Sequence, residues 1–430
     1  MSFLKSLRTV EPSQTLLINE QSRLAQSKGE KIYKLGFGQS PFRPVDRVIQ
    51  ALKDNADNHG YIPVKGLPEL CEAATKFHNE MQGLNLKAEN CLVAPGSKIH
   101  LYAVMAAFKE ADVLIPSPAW VSYEPQAHLL GHNVVRVEST HDKRWRVDAE
   151  TLEAAAQNCR PNTQKIMILN YPGNPEGLTY TKEQFQALAE VMRKHNILVI
   201  ADEIYSFLTH DATFESLAHY YPEGTIITTG LSKWSGAGGW RLGLAFLPEG
   251  MDDLKTVLLG IASETYSCAP GPVQKAAVLA YKNDEITQTY LANQRKILSI
   301  LAAKSHAALS ESGIKVHKAE GGFYFYVDFT PFADKIRAQG IENSADLCVE
   351  ILKETGVALL HSAVFGIPAD YFSARLAYVD FDGTKALKAA ETEEINDEFV
   401  EKYCAYTLEG IRGLSEWFKA GAVISNKKAA

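Results

Sequence analysis

Between residues 90 and 250, short apolar runs alternate with longer stretches of helical periodicity, and this alternation restricts the chain more than any other feature. The runs at 91–94, 113–115, 165–169, 197–201, 225–228 and 242–246 have the length and composition of buried strands. Between the third and fourth runs, Thr181 followed by Gln184 forms a capping box, and Phe185, Leu188, Ala189 and Met192 then recur at helical spacing. A second helix opens at Leu67-Pro68-Glu69, with proline in its first turn and Leu70, Ala73, Ala74 and Phe77 on one face. Strands that alternate with helices in this way pair mostly in parallel, with helices crossing back over both faces. The expected fold class is therefore α/β, with a mostly parallel central sheet covered on both sides. After about residue 300 the pattern changes to a glycine pair, Gly321-Gly322, a strand-like stretch at 323–329 and a charged terminal helix. This reads as a smaller α+β unit. The expected division is 1–45 as an N-terminal arm joined to the small unit, 46–300 as the large unit and 301–430 as the small one. The polar end at 425–430 is expected to fray.

Composition excludes several functional classes. A hydrophobic share of 46%, a charged share of 22% and a formal charge of −7 suit a globular enzyme and argue against a nucleic-acid partner, which calls for a strongly basic face. The six cysteines, at 71, 91, 159, 268, 348 and 404, show no metal-ligand spacing and read as reduced thiols. The opening MSFLKSLRTVEPS has no apolar core of a secretion signal, and no apolar run reaches the roughly 18–20 residues that span a bilayer. A cytoplasmic protein without membrane contact is expected.

In open α/β sheets ligands lie beyond the carboxyl ends of the strands, so the residues that follow the runs belong together. Asn174 comes after the third run, Asp202 and Tyr205 after the fourth, and Lys233 after the fifth. Asp202 lies 28 residues beyond Asn174 and Lys233 another 31 beyond Asp202, close to one βαβ unit of about 30 residues. Arg241 opens the next run. A lysine amine condenses with an aldehyde cofactor and then shuttles protons. Pyridoxal 5′-phosphate further requires an acid for its ring nitrogen, ligands for its phosphate, and a phenol or amide for its ring oxygen. Asp202, Arg241, Tyr205 and Asn174 supply these types. Gly96-Ser97-Lys98 follows a strand and opens an apolar helix, so its N–H groups suit an anion. Trp120 follows another strand and is placed to stack on the cofactor ring. Singly, these signals are weak: a Ser-Lys pair most often marks a solvated lysine, and an aspartate after a strand is often only a cap. Their ordered recurrence after successive strands is the stronger observation.

The stretch Gly230-Leu231-Ser232-Lys233-Trp234-Ser235-Gly236-Ala237-Gly238-Gly239-Trp240-Arg241-Leu242-Gly243 resembles the pyridoxal-phosphate attachment site of class I/II aminotransferases. The blocks at 61–70, 170–177, 202–205 and 375–378 are similar to further family blocks in the family's order, so the resemblance covers about residues 30 to 380. It implies fold type I and a homodimer with sites at the subunit interface. It further implies that Tyr61 reaches the neighbouring subunit's cofactor phosphate, that Arg375 binds the substrate α-carboxylate and that Gly38 lies beside it. A guanidinium fork suits a carboxylate better than an ammonium does. Two departures stand out. Gly230 occupies a position where many relatives carry a serine that bonds the phosphate, and 264–270 matches only loosely.

The expected activity is transfer of an amino group from an L-amino acid to a 2-oxo acid, 2-oxoglutarate being the expected acceptor, with Lys233 as the Schiff-base lysine and proton carrier. A carbon–sulfur β-lyase with the same cofactor is the near alternative; it would release pyruvate catalytically from an amino acid alone. A non-catalytic ligand sensor of the same fold is the alternative from another class, and it would carry an added basic domain that this composition does not suggest.

Overall fold

A computed structural model describes residue 12 and residues 14–420; the expectations for the opening residues 1–11 and the polar end at 425–430 fall outside that range. Seven strands form one sheet: β1 (Cys91–Ala94), β2 (Ala111–Ser117), β3 (Asn133–Glu138), β4 (Gln164–Asn170), β5 (Ile197–Asp202), β6 (Thr225–Gly230) and β7 (Gly243–Phe246). Their spatial order is β1-β7-β6-β5-β4-β2-β3. The β2/β3, β2/β4, β4/β5 and β5/β6 pairs are parallel, whereas β7 runs antiparallel to both β6 and β1. The expected mostly parallel sheet is present. Strand β3 was not expected, because its NVVRVE sequence lies at the sheet edge and only one of its six residues is fully buried.

Both faces of the sheet are apolar, and side chains that alternate along each strand divide between them. Leu114, Met167, Leu169, Val199 and Ala201 pack with Phe185, Leu188 and Met192 of the Lys182–Lys194 helix. Val113, Ile115, Ile166, Ile168, Leu198 and Ile200 pack on the other side with Leu101 and Val104 of the Ser97–Ala106 helix. Uninterrupted apolar runs were therefore the correct sign of a sheet covered twice. The capping box is present, with the Thr181 hydroxyl accepting from the Gln184 N–H and the Gln184 side chain accepting from the Thr181 N–H. The helix Pro68–Gln82 buries Leu70, Ala74 and Phe77, with Ala73 half-buried beside them.

Three antiparallel strands form a second sheet in the order β8 (Tyr324–Asp328), β10 (Ser373–Ala377), β9 (Leu360–His361). The opening segment packs against it: the Tyr33 N–H donates to the Gly356 carbonyl (2.9 Å), and the Ala377 N–H donates to the Leu35 carbonyl (2.6 Å). Position 300 lies inside the helix Glu285–Glu311. That helix places Leu291, Ile297, Leu298 and Leu301 in the same apolar cluster as Phe325 and Leu376 of the second sheet.

At the β1/β7 edge the backbone of Gly243 lies against the turn that opens the Ser97–Ala106 helix. A Cβ on Gly243 would stand 2.1 Å from the Ser97 nitrogen and 2.3 Å from the Gly96 carbonyl carbon. Gly243→Ala is therefore expected to cost about 2–3 kcal/mol through overpacking against backbone that cannot rotate away. The urea midpoint of unfolding should fall with an unchanged slope.

Candidate active site

The carboxyl ends of β4 and β5 lie in register, Asn170 opposite Asp202. The Asn170 side-chain amide donates to the Asp202 carbonyl (2.7 Å), and its oxygen accepts the Asn174 N–H (2.7 Å). These ends, together with the segment after β6, wall a cavity of about 530 Å³ lined by Asn174, Asp202, Tyr205, Lys233, Arg241 and Arg375. Gly38, Ser97, Lys98 and Trp120 complete the walls. Ten of the twelve residues singled out in the sequence thus line one space. Gly96 touches it from behind: a Cβ there would meet the Arg241 guanidinium at 2.1 Å. Tyr61 is not brought there; it is 93% exposed on the isolated chain.

Asp202 is buried. One of its oxygens, Oδ2, accepts from the Tyr123 hydroxyl (2.7 Å), whereas Oδ1 has no partner among the described residues. Burial pushes its carboxyl up to about 6, against the opposing pull of the Tyr123 bond. The next residue, Glu203, is also fully buried, but its Oε1 accepts from the Tyr171 hydroxyl (2.8 Å) and from the Ser216 hydroxyl (2.5 Å). Each of these adjacent acids keeps one oxygen without a partner among the described residues, Oδ1 of Asp202 and Oε2 of Glu203, but only Asp202 lines the cavity.

The Lys233 Nζ donates to the Gly38 carbonyl (2.9 Å). Burial, together with the charge of Arg375, lowers the ammonium to about 8, while Asp202 pulls the other way. The amine is therefore more readily deprotonated, and so more readily made nucleophilic, than a solvated lysine. Arg375, on β10, is 1% exposed. It donates to the Asn174 side-chain oxygen (2.9 Å) and to the Gly36 carbonyl (2.6 Å), and its Nε has no partner among the described residues. Arg241 holds a left-handed backbone conformation at φ 58° and donates to the Gly238 carbonyl (2.8 Å). Such a conformation costs a non-glycine residue about 1 kcal/mol or more and tends to persist where a site requires it. Among the described residues, no carboxylate lies within ion-pair distance of Lys98, Lys233, Arg241 or Arg375. Four cations thus converge on a cavity with a single carboxylate, an arrangement that favours anionic ligands.

The helix Ser97–Ala106 begins after Gly96, at φ 94°, with no side chain capping its first N–H groups. Glycine at 230 is explained locally: a Cβ would lie 2.5 Å from the Leu242 carbonyl oxygen across the β6/β7 pair. Sequence reasoning missed Tyr123 and Tyr324. The Tyr324 hydroxyl shares a hydrogen bond with the Tyr205 hydroxyl (2.9 Å), and its ring lies under the Arg375 guanidinium at 4.8 Å. Tyr123 was detectable in principle, one helical turn beyond Trp120; Tyr324, 119 residues from its partner, carried no local sign.

The family model for aminotransferases of class I and II matches residues 30–384. An aspartate aminotransferase of Geobacillus stearothermophilus is 32% identical over 88% of this chain and 94% of its own length. A probable aspartate/prephenate aminotransferase of Rhizobium leguminosarum is 33% identical over 88% of this chain and 94% of its own. Among solved structures, the aspartate aminotransferase of Thermus thermophilus with maleate superposes with a TM-score of 0.80 at 25% identity, over 95% of this chain and all of the other.

The buried acid has a consequence for stability. With its pKa raised from 3.8 to about 6 in the folded state, the native protein holds more protons than the unfolded chain between those values, so stability falls as pH rises through that window. Asp202→Asn should therefore stabilise the cofactor-free protein at pH 8 by on the order of 2 kcal/mol. The gain should vanish by about pH 4, as read from thermal unfolding across pH.

Proposed function

The chain belongs to the class I and II aminotransferase family, and from that footing we propose that it transfers the α-amino group of an acidic L-amino acid to a 2-oxo acid, with 2-oxoglutarate as acceptor and pyridoxal 5′-phosphate held around Lys233. The observation that carries this reading is the convergence, in one cavity, of the Lys233 amine, which donates to the Gly38 carbonyl, and a buried carboxylate that keeps one oxygen without a partner among the described residues.

The residues fit the cofactor. Asp202 Oδ1 is an orphaned acceptor suited to a protonated ring nitrogen. The uncapped N–H groups after Gly96 and the guanidinium of Arg241 suit a phosphate. Tyr205 and Asn174 suit the ring oxygen, and Trp120 suits the ring face. When bound, pyridoxal phosphate supplies an aldehyde that condenses with amines and a cationic ring that accepts an electron pair.

Arg375 holds the substrate α-carboxylate, with Asn174 and Gly36 fixing the guanidinium and Gly38 leaving room beside it. Lys233 takes the proton from the substrate Cα and later returns one, acting as base and then acid at the same atom, Nζ. Asp202 stays ionised when a cation faces it, because that charge offsets the cost of burial. Once Arg375, Arg241 and Lys233 have these partners, Lys98 is the cation left over, with its Nζ 4.7 Å over the Trp120 ring. A second carboxylate on the substrate fills that vacancy. The aspartate named for both relatives and the maleate bound to the Thermus enzyme support a dicarboxylic substrate.

We further propose a homodimer in the cytoplasm, with Tyr61 completing the partner's phosphate site. Its near-complete exposure on a single chain and the six free cysteines support this. No helix among the described residues is long and apolar enough to cross a membrane. A large unit at 46–300, and a small unit formed by 301–430 together with the arm 1–45, remain the proposed division.

Lys233→Ala should lower transamination by at least about a thousandfold. It should also abolish the mass that borohydride fixes at residue 233 in the wild type; full turnover would refute the assignment. Lys98→Gln should raise KM for aspartate about tenfold while leaving alanine nearly unchanged. An equal loss for both donors would remove Lys98 from substrate selection.

A further inference from the structure

Tyr123 opens the helix Tyr123–Leu130, is 1% exposed and touches two residues that line the cavity. Its hydroxyl donates to Asp202 Oδ2 (2.7 Å). Its ring stands edge-on to the Trp120 indole, with centroids 5.3 Å apart and planes at 80°. Among the described residues Tyr123 is the one side-chain donor to this carboxylate and Oδ1 has no partner, so the Tyr123 bond decides which oxygen is left over, and the Asn170 bond to the Asp202 carbonyl holds the backbone beneath it. Without the phenol, a buried carboxylate would be free to rotate and would lose its only side-chain donor, and the neutral acid would then be favoured.

Resting on the cofactor reading above, we infer that Tyr123 is a positioning residue, which keeps Asp202 ionised with Oδ1 presented to the cofactor's ring nitrogen while its ring braces Trp120 against the ring face. The two contacts are separable. Tyr123→Phe removes the hydroxyl and keeps the aromatic edge against Trp120, so only the carboxylate is affected.

The test is binding to the cofactor-free protein, with no turnover involved. Dissociation constants are measured for pyridoxal 5′-phosphate and for its 1-deaza analogue, in which carbon replaces the ring nitrogen. Tyr123→Phe should weaken pyridoxal phosphate roughly tenfold, the scale of a lost hydrogen bond to a charged group, and leave the analogue unchanged. A merely structural role for Tyr123 predicts equal weakening of both, and either that result or no change in either overturns the inference. If Tyr123→Phe folds poorly alone, the comparison moves to the Asp202→Asn background, where adding it should alter neither constant; a further loss for pyridoxal phosphate there also overturns the inference. Failure of the underlying reading looks different, since the wild-type protein would then bind the analogue as tightly as pyridoxal phosphate, or bind neither.

Discussion

The structure depends on the register in which β4 and β5 end. Asn170 opposite Asp202 is a backbone pairing, and the Asn170 side chain ties the two strand ends together on one side and opens the turn to Asn174 on the other. A slip of one residue would reverse every side chain on β5. Asp202 would leave the cavity, and the apolar pairs Val199/Ala201 and Leu198/Ile200 would exchange faces. The site and the core are therefore specified by the same register, and neither can change alone.

That register brings together charges that the fold does not neutralise. Buried ions ordinarily acquire partners, and the chain does this elsewhere: Arg146 pairs with Glu320, and Arg160 pairs with the buried Asp112 (2.7 Å). Around the cavity the pattern is reversed. Arg375 is buried with only neutral acceptors, Asp202 keeps a bare oxygen, and Lys233 rests on a carbonyl. On the proposed reading, the unpartnered Asp202 Oδ1 and Arg375 Nε at this cavity are groups that a cofactor and a carboxylate substrate would pair, so stability is withheld where binding would restore it.

How much of this was legible in the sequence follows from the range of each interaction. Asp202, Asn174 and Lys233 were readable because Asp202 ends its strand and the other two lie within four residues of the ends of theirs, and strand ends in a parallel sheet share an edge. The Ser97–Ala106 helix was readable because its glycine, short polar turn and apolar run are contiguous. Strand β3 was not, because an edge strand with one buried residue lacks the apolar run that marks its neighbours. Tyr324 was not, because what matters is a hydroxyl reaching Tyr205 from the other sheet, and no local pattern encodes that distance. Gly230 was read as a lost phosphate contact; the structure adds the steric reason, since the β6/β7 backbones leave no space for a side chain.

The opening segment shows how the two sheets become one site. The Gly38 carbonyl accepts from Lys233 of the large sheet's loops and from the Tyr324 hydroxyl of the small sheet (3.3 Å), and the Gly36 carbonyl accepts from Arg375. A Cβ on Gly38 would fall 1.9 Å from the Tyr324 hydroxyl, so glycine is required there by close approach and not by backbone conformation. Two carbonyls two residues apart thus fix the reach of the lysine from one unit and the arginine from the other. On the proposed reading, the spacing between the Lys233 amine and the Arg375 guanidinium is set by a segment that belongs to neither sheet. Orientation at a reacting centre can be worth several kcal/mol. In this chain it rests on the main-chain acceptors Gly36 and Gly38, joined by one side-chain acceptor, the Asn174 oxygen that also holds Arg375.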